Sequence, residues 1–293
     1  MWTPLPAYAE LHCLSNFSFQ RGASRPEELV ARAAALGYSA LAITDECSVA
    51  GVVRAHTQAK KLGLHLLLGS EFSVRNADAG PEVKLVVLVH DLQGWGNLCE
   101  FITAARGKAV KGSYDVSWSG SDFAQLQCCE VLLAPPRGIS FEALCAHCLR
   151  ARSLFGERLW LTLELLHGLN DDLWQHMLER ASSHTGVPLV AAGNVHMHVR
   201  SRKPLQDVVS AVRLGKPVSD CGFALQPNAE AHLRARVRLA SIYPGEWLQA
   251  TLTVAARCRF CLDELRYQYP VETVLPGLTA AQTLRRFTLE GRW

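Results

Sequence analysis

The stretch SRPEELVARAAALGYSALAITDE, residues 24–46, decides the fold, because it holds one complete helix and the strand that follows it. Ser24-Arg25-Pro26-Glu27 reads as a capping box in which the Ser24 hydroxyl takes an orphan backbone N–H, Glu27 reaches back, and Pro26 fits the first turn. Leu29, Val30, Ala33 and Leu36 repeat at helical spacing, and Gly37 supplies the left-handed residue that ends the helix. Ala40–Thr44 is then a short apolar run of strand length, closed by the polar pair Asp45 and Glu46.

Outward from this unit the same alternation recurs over nearly the first 215 residues. Strands are expected at Tyr8–His12, Ala40–Thr44, Leu64–Leu68, Lys84–Val89, Val131–Ala134, Leu159–Leu165 and Pro188–Ala192. Helices are expected at Val52–Leu62 before Gly63, Trp95–Ala105, Phe141–Phe155 before Gly156, Asp171–His184, and Leu205–Leu214 before Gly215. Strands alternating with amphipathic helices are the pattern of an α/β fold with a parallel sheet and crossover helices, and seven of them suit a barrel. After Gly215 the pattern gives way to turns and short basic helices, among them Gly245–Cys258. The division expected is a barrel over residues 1–222, a helical extension over 223–262, and a connector over 263–293. Within that connector, Tyr269-Pro270 to Pro276-Gly277 reads as extended; a helix starts at Thr279 and reaches Trp293 without an ending signal, as in a fragment of something longer.

Composition is globular, with 49% hydrophobic and 19% charged residues in 293, so one large core can form and disorder is disfavoured. The amino terminus lacks a signal-peptide pattern, no apolar run approaches the roughly 20 residues that span a bilayer, and a cytoplasmic location is expected. In a reducing compartment the ten cysteines read as small core residues. Cys145/Cys148, with His147 between them, and Cys258/Cys261 lie too far apart in the chain to suggest a shared zinc. The net charge of +3 says little, but from Met197 onward fourteen Lys/Arg face eight Asp/Glu. Arg200, Arg202, Lys203, Arg234, Arg236 and Arg238 are therefore candidates for weak contacts with nucleic-acid phosphate, or else a solvated surface.

In parallel barrels, chemistry collects where strands end. Glu10 and His12, two apart on the first strand, are expected on one face. Asp45 and Glu46 follow the second strand, Glu71 the third, His167 the sixth, and Asn194 and His196 the seventh. Any one of these could be a helix cap or a solvated loop residue; their repetition at equivalent places points to the ancestry of a divalent-metal site for phosphoester hydrolysis.

The run YAELHCLSNFSFQRGAS (8–24) resembles the first motif of the PHP (polymerase-and-histidinol-phosphatase) domain of bacterial C-family DNA polymerases, and ALAITDECSVAG (40–51) the second. LGSE (68–71), GWGNL (94–98) and VAAGNVHMHVRS (190–201) match further motifs in order and rough spacing, so the resemblance covers essentially the whole chain. Glu10 before His12, Thr44-Asp-Glu46 and Asn194-Val-His-Met-His198 are similar to the error-prone branch, which acts in damage-induced synthesis. The resemblance implies a distorted seven-stranded (β/α) barrel, TIM-like, followed from about Asp263 by the connection to a polymerase palm. It also implies ligand positions at His12, Asp45, Glu71, His167 and His196, while Glu10, Glu46, Lys84 and Asn194 replace ligands and Arg21 stands where an Asp is usual.

Arg21 and Lys84 would repel a dication, since neither can ligate while protonated. The favoured expectation is a metal-free scaffold in which they pair with Glu10, Glu46 or Glu71. The alternative keeps one Mn²⁺, Mg²⁺ or Zn²⁺ on Glu10, Glu46, His12 and His196. For the intact protein the resemblance implies DNA-directed DNA synthesis past lesions with Mg²⁺, DNA as substrate, and a sliding clamp and damage-response accessory proteins as partners, with no membrane. Two-metal nucleotidyl transfer needs clustered acids, and no Asp-x-Asp pair occurs here, so no polymerase catalytic residue is expected in these residues. The rivals are a stand-alone metal-dependent phosphoesterase or 3'-5' exonuclease and a non-catalytic binding module.

Overall fold

The computed structural model describes residues 5–76, 81–266 and 274–291. Among these, seven strands form one sheet in chain order: β1 Ala9–Glu10, β2 Ala40–Ile43, β3 His65–Val74, β4 Val83–Val89, β5 Cys129–Ala134, β6 Leu159–Leu163 and β7 Leu189–Ala191. The two ends of the sheet meet just past β1 and β7, where the Leu14 N–H donates to the Val195 carbonyl at 2.8 Å and the Val195 N–H donates to the His12 carbonyl at 2.9 Å. The result is the expected α/β barrel, curled and distorted. One element departs from the parallel expectation: β4 runs antiparallel to both β3 and β5. Only a short stretch of chain lies between Val74 and Val83, too little for a crossover connection of a dozen or more residues, so the chain returns in the opposite direction.

Helices cover the outside: α1 Pro26–Ala35, α2 Val52–Leu62, α3 Leu92–Gly107, α4 Phe141–Phe155, α5 Asp171–Thr185, α6 Lys203–Leu214, α7 Arg236–Ile242 and α8 Gly245–Arg257. α2 and α6 stop at left-handed Gly63 and Gly215, and α4 stops at Gly156, as the sequence requires. The capping box of α1 is shifted by one residue. Arg25, not Ser24, is the N-cap, and Glu28, not Glu27, accepts its backbone N–H at 2.9 Å. Ser24 has another use: its hydroxyl bonds His198 Nδ1 and accepts the His198 backbone N–H, both at 2.8 Å, tying the first turn of the chain to the loop after β7.

Strands β2 to β7 alternate between two largely apolar surfaces. Leu41, Ile43, Leu68, Val87, Leu133 and Leu161 pack outward against the helices, in the larger core. Their neighbours Ala42, Leu67, Val86, Leu132, Trp160 and Val190 pack inside the barrel. The inner core is completed by α8, whose Val254 and Ala255 join it together with Cys258. Thr251 on α8 accepts the Ala9 N–H at 3.1 Å, so this helix closes one end of the barrel. Contacts divide the chain into two compact units, Met1–Leu262 and Asp263–Trp293. In the second, α9 Ala280–Glu290 begins at a Thr279/Gln282 capping box and, against expectation, carries an ending signal in left-handed Gly291. Tyr269 and Pro270 of the expected connector, like Met1–Pro4, lie outside the described residues.

Two glycines of the 94–98 motif differ sharply in what surrounds them. A Cβ at Gly94 would lie 2.1 Å from the Cys128 carbonyl oxygen, whereas one at Gly96 meets nothing within 4 Å. Gly94→Ala is therefore expected to destabilise the fold by about 1–3 kcal/mol through overpacking. Gly96→Ala is expected to be neutral or to stabilise by up to about 1 kcal/mol through helix propensity. Urea unfolding of both variants checks the pair; equal effects would contradict the close approach.

Candidate functional site

Period-two alternation carries the inner face of three strands up to the rim of the barrel. From Leu67 it leads to Glu71 on β3, from Val86 back to Lys84 on β4, and from Trp160 past β6 to Glu164. Glu71 is fully buried and holds three cationic groups. Its Oε1 accepts from Arg21 Nη1 and lies 3.2 Å from Lys84 Nζ; its Oε2 lies 2.6 Å from His12 Nε2. Arg21 also reaches Glu46 Oε2 at 2.6 Å, and Glu46 Oε1 accepts the Tyr114 hydroxyl at 2.9 Å. On its other side His12 Nδ1 bonds Glu164 Oε1 at 2.8 Å.

Electrostatics follow from this packing. Burial pushes His12 towards neutrality, but Glu164 and Glu71 outweigh it and raise its pKa to about 9, so both ring nitrogens are protonated at neutral pH. Burial would raise Glu71, yet Lys84, Arg21 and His12 hold its carboxyl well below the usual range. The next bonds fix a tautomer. Asn194 Nδ2 donates to Glu164 Oε2 at 3.0 Å, which leaves its Oδ1 to accept from His196 Nε2 at 3.0 Å. His196 is kept neutral by burial and by Arg21 and Lys84. Its Nδ1 is then a bare lone pair, buried and without a partner among the described residues.

Other expected members of the site stand apart. Glu10 does not share a face with His12, because β1 ends at Glu10 and strict alternation ends with it. Its carboxylate accepts the Tyr8 hydroxyl at 2.9 Å and the backbone N–H groups of Gly193 at 2.8 Å and His12 at 3.1 Å, bridging the β1/β7 seam. Asp45 is buried and accepts four bonds, from the backbone and hydroxyl of both Ser15 and Ser18, so it organises the loop after β1. His167 is exposed, left-handed at φ 53, and bonded at 2.8 Å to Arg238 Nη2. Sequence reasoning missed Glu164 and Tyr114. For Glu164 a signal was present, since Trp160, Thr162 and Glu164 form one period-two line.

The basic residues of the last third are mostly engaged within the fold. Arg234 is buried, donating to the Leu165 carbonyl at 2.8 Å and to the Tyr243 hydroxyl at 3.3 Å. Arg236 caps the Leu36 carbonyl at 3.2 Å. Arg200 pairs with Glu230, Arg202 with Glu28 at 2.5 Å and Lys203 with Asp207 at 2.5 Å. Sequence charge alone does not reveal that these cations are already matched. Cys145, Cys148 and Cys258 belong to no group of three potential metal ligands among the described residues.

A cluster of divalent ions needs neutral imidazoles and carboxylates with free lone pairs facing one point. At this rim both ring nitrogens of His12 are engaged by carboxylates, Glu71 is covered by cations on both oxygens, and Glu10, Asp45 and His167 are bonded elsewhere. The residues present do not fit a multi-metal cluster. What remains is a cleft of about 280 Å³ lined by Arg21, Glu46, Lys84, His196, Gln206 and Arg213 among others.

Residues 10–135 match the family model described as PHP domain. Over 98% of its length the chain is 48% identical to the error-prone DNA polymerase of Bordetella parapertussis, and over 99% it is 48% identical to that of Pseudomonas aeruginosa. It spans 28% and 27% of the length of these relatives. Among solved structures, an amidohydrolase from Chromobacterium violaceum, with bound sulfate and no metal, superposes with a TM-score of 0.50 at 18% identity, covering 65% of this chain and 88% of that one. This last likeness is one of fold.

Glu71→Gln leaves three buried or half-buried cations short of a counter-ion and is expected to cost about 3–5 kcal/mol in chemical denaturation. The His12 pKa is raised from 6.5 to about 9 on folding, so its stabilisation is complete below pH 6.5 and is lost as pH rises through about 9. Melting temperature is expected to fall across that window, and the fall is expected to flatten in His12→Gln. Parallel pH profiles for the two proteins would remove His12 as the titrating group.

Proposed function

We propose, for a chain that carries a PHP domain and is homologous along nearly its whole length to error-prone DNA polymerases, that it is the PHP-bearing part of such a polymerase and that its barrel is a scaffold held by ion pairs. The observation that carries the scaffold reading is Glu71, whose two oxygens hold Arg21, Lys84 and His12 where a hydrolase would hold metal. The cations supply in fixed form the positive charge a dication would bring, and they cannot activate water as a metal does. Bond-making chemistry then belongs to the remainder of a polypeptide more than three times as long, as the length of the relatives supports. In that protein, DNA is the substrate, Mg²⁺ serves nucleotidyl transfer, and synthesis past lesions during DNA repair is the task, with a sliding clamp and damage-response factors as partners. No helix among the described residues is long and apolar enough to cross a membrane, and the cytoplasm is the compartment we assign.

One observation favours a second reading. The bare, buried Nδ1 of His196 is a donor atom suited to a single metal ion at a residual phosphoesterase or exonuclease site. Beyond burial, Arg21 and Lys84 act on His196 strongly enough to lower its pKa and would repel a dication there, which is why the scaffold reading is preferred.

Two measurements decide. The 293-residue chain alone is expected to give no primer extension, whereas the longer polypeptide of the same gene extends primers; extension by the short chain, or none by the long one, overturns the assignment. Millimolar Mn²⁺, Mg²⁺ or Zn²⁺ is expected to leave the melting temperature of the short chain unchanged. A rise that His196→Ala abolishes, accompanied by hydrolysis of a phosphate ester, would establish the second reading instead.

A further inference from the structure

α6 is an amphipathic helix set with its polar side towards the protein. Its buried positions are Gln206, Ser210 and Ala211, and Gln206 donates to the Arg21 carbonyl at 3.0 Å. Leu205, Val208 and Val212 face outward, 40%, 48% and 60% exposed. These three stand at i, i+3 and i+7, one stripe along the helix. The two turns that follow add exposed Val218 and fully exposed Phe223. Scattered exposed apolar residues are ordinary, but a helix whose apolar stripe is the outer one is not.

The charge cluster explains the inversion. Gln206, Ser210 and Arg213 line the same cleft as Arg21, Glu46 and Lys84, so the side of α6 that covers the ions has to be polar. A sequence with enough apolar residues for one buried stripe is then left with that stripe on the far side. Exposed Arg213, at the border between the cleft and this stripe, and exposed Lys216, just past the end of the helix, have no ion pair among the described residues. We infer that the outer stripe of α6 is a docking surface for the remainder of the polymerase chain, and that the surface it meets is apolar with a rim of Asp and Glu carboxylates. This rests on the polymerase reading above. The occupant is argued from length: the relatives have more than two thirds of their residues outside the part this chain matches, ample to supply a covering face within the same polypeptide. Intramolecular docking of this kind needs only a modest surface, because the connection keeps the partner at high effective concentration.

The test compares Val212→Cys in the 293-residue chain and in the longer polypeptide of the same gene, with maleimide labelling read peptide by peptide so that the native cysteines do not interfere. Val212 is half exposed and outside the cluster, so the substitution leaves folding intact. Labelling in the longer chain is expected to be slower by about tenfold or more, as for a site that opens only by transient undocking. Equal labelling in the two proteins overturns the inference. So does protection already present in the short chain that grows with its concentration, which would make a second copy the occupant. Primer extension is measured on the same long preparation. An active polymerase with unprotected Val212→Cys removes only the docking surface, while an inactive long chain removes the polymerase reading and the occupant with it.

Discussion

A single buried carboxylate, that of Glu71, sets the terms for the rest of this barrel. Alone and ionised in an apolar rim it would be prohibitively costly, and it is tolerated because His12 and Arg21 approach it from the loop after β1 and Lys84 from β4. The arrangement is not a store of stability in itself, since a well-packed apolar replacement of all its members could do as well energetically. What it does is make these segments mutually dependent. The loop after β1, the middle of the sheet and the reversed strand β4 have to be correctly placed together or none of the charges is satisfied.

That dependence spreads outward by hydrogen-bond logic. Glu164 shares His12 with Glu71 and also fixes the amide of Asn194, which fixes the tautomer of His196. The seam between β1 and β7 has a separate acid, Glu10, whose burial raises its pKa and whose oxygens take two backbone N–H groups and the Tyr8 hydroxyl. Two carboxylates expected at the same rim, Glu10 and Glu71, thus do unlike work: one completes backbone hydrogen bonding and the other balances side-chain charge.

Much of the fold was legible because its signals are local. Gly63, Gly156 and Gly215 end their helices wherever the rest of the protein lies, and apolar runs bounded by polar residues mark strands without knowledge of their partners. The direction of β4 was not legible from runs alone, since it depends on how short the connection before it is. The Ser24 cap was misread because a serine ahead of a helix has two possible partners, and His198, 174 residues away, took it. The site was half legible. Spacing placed Glu71, His196 and Asn194 at the rim, but His167 and Asp45 were committed to nearby loop partners that only three dimensions show. Arg234 is the clearest case, a cation that composition assigns to the surface and that burial assigns to Tyr243.

The helix that shuts the end of the barrel opposite this logic has a consequence for how the protein is made. Ala9 in the first strand gives its N–H to Thr251, 242 residues downstream, and the inner core lacks Val254, Ala255 and Cys258 until that helix arrives. During vectorial synthesis the early strands therefore leave the ribosome with an unfilled interior and wait for most of the unit to be translated. At about 5–20 residues per second that delay lasts on the order of tens of seconds, long enough for a chaperone to engage the half-built sheet.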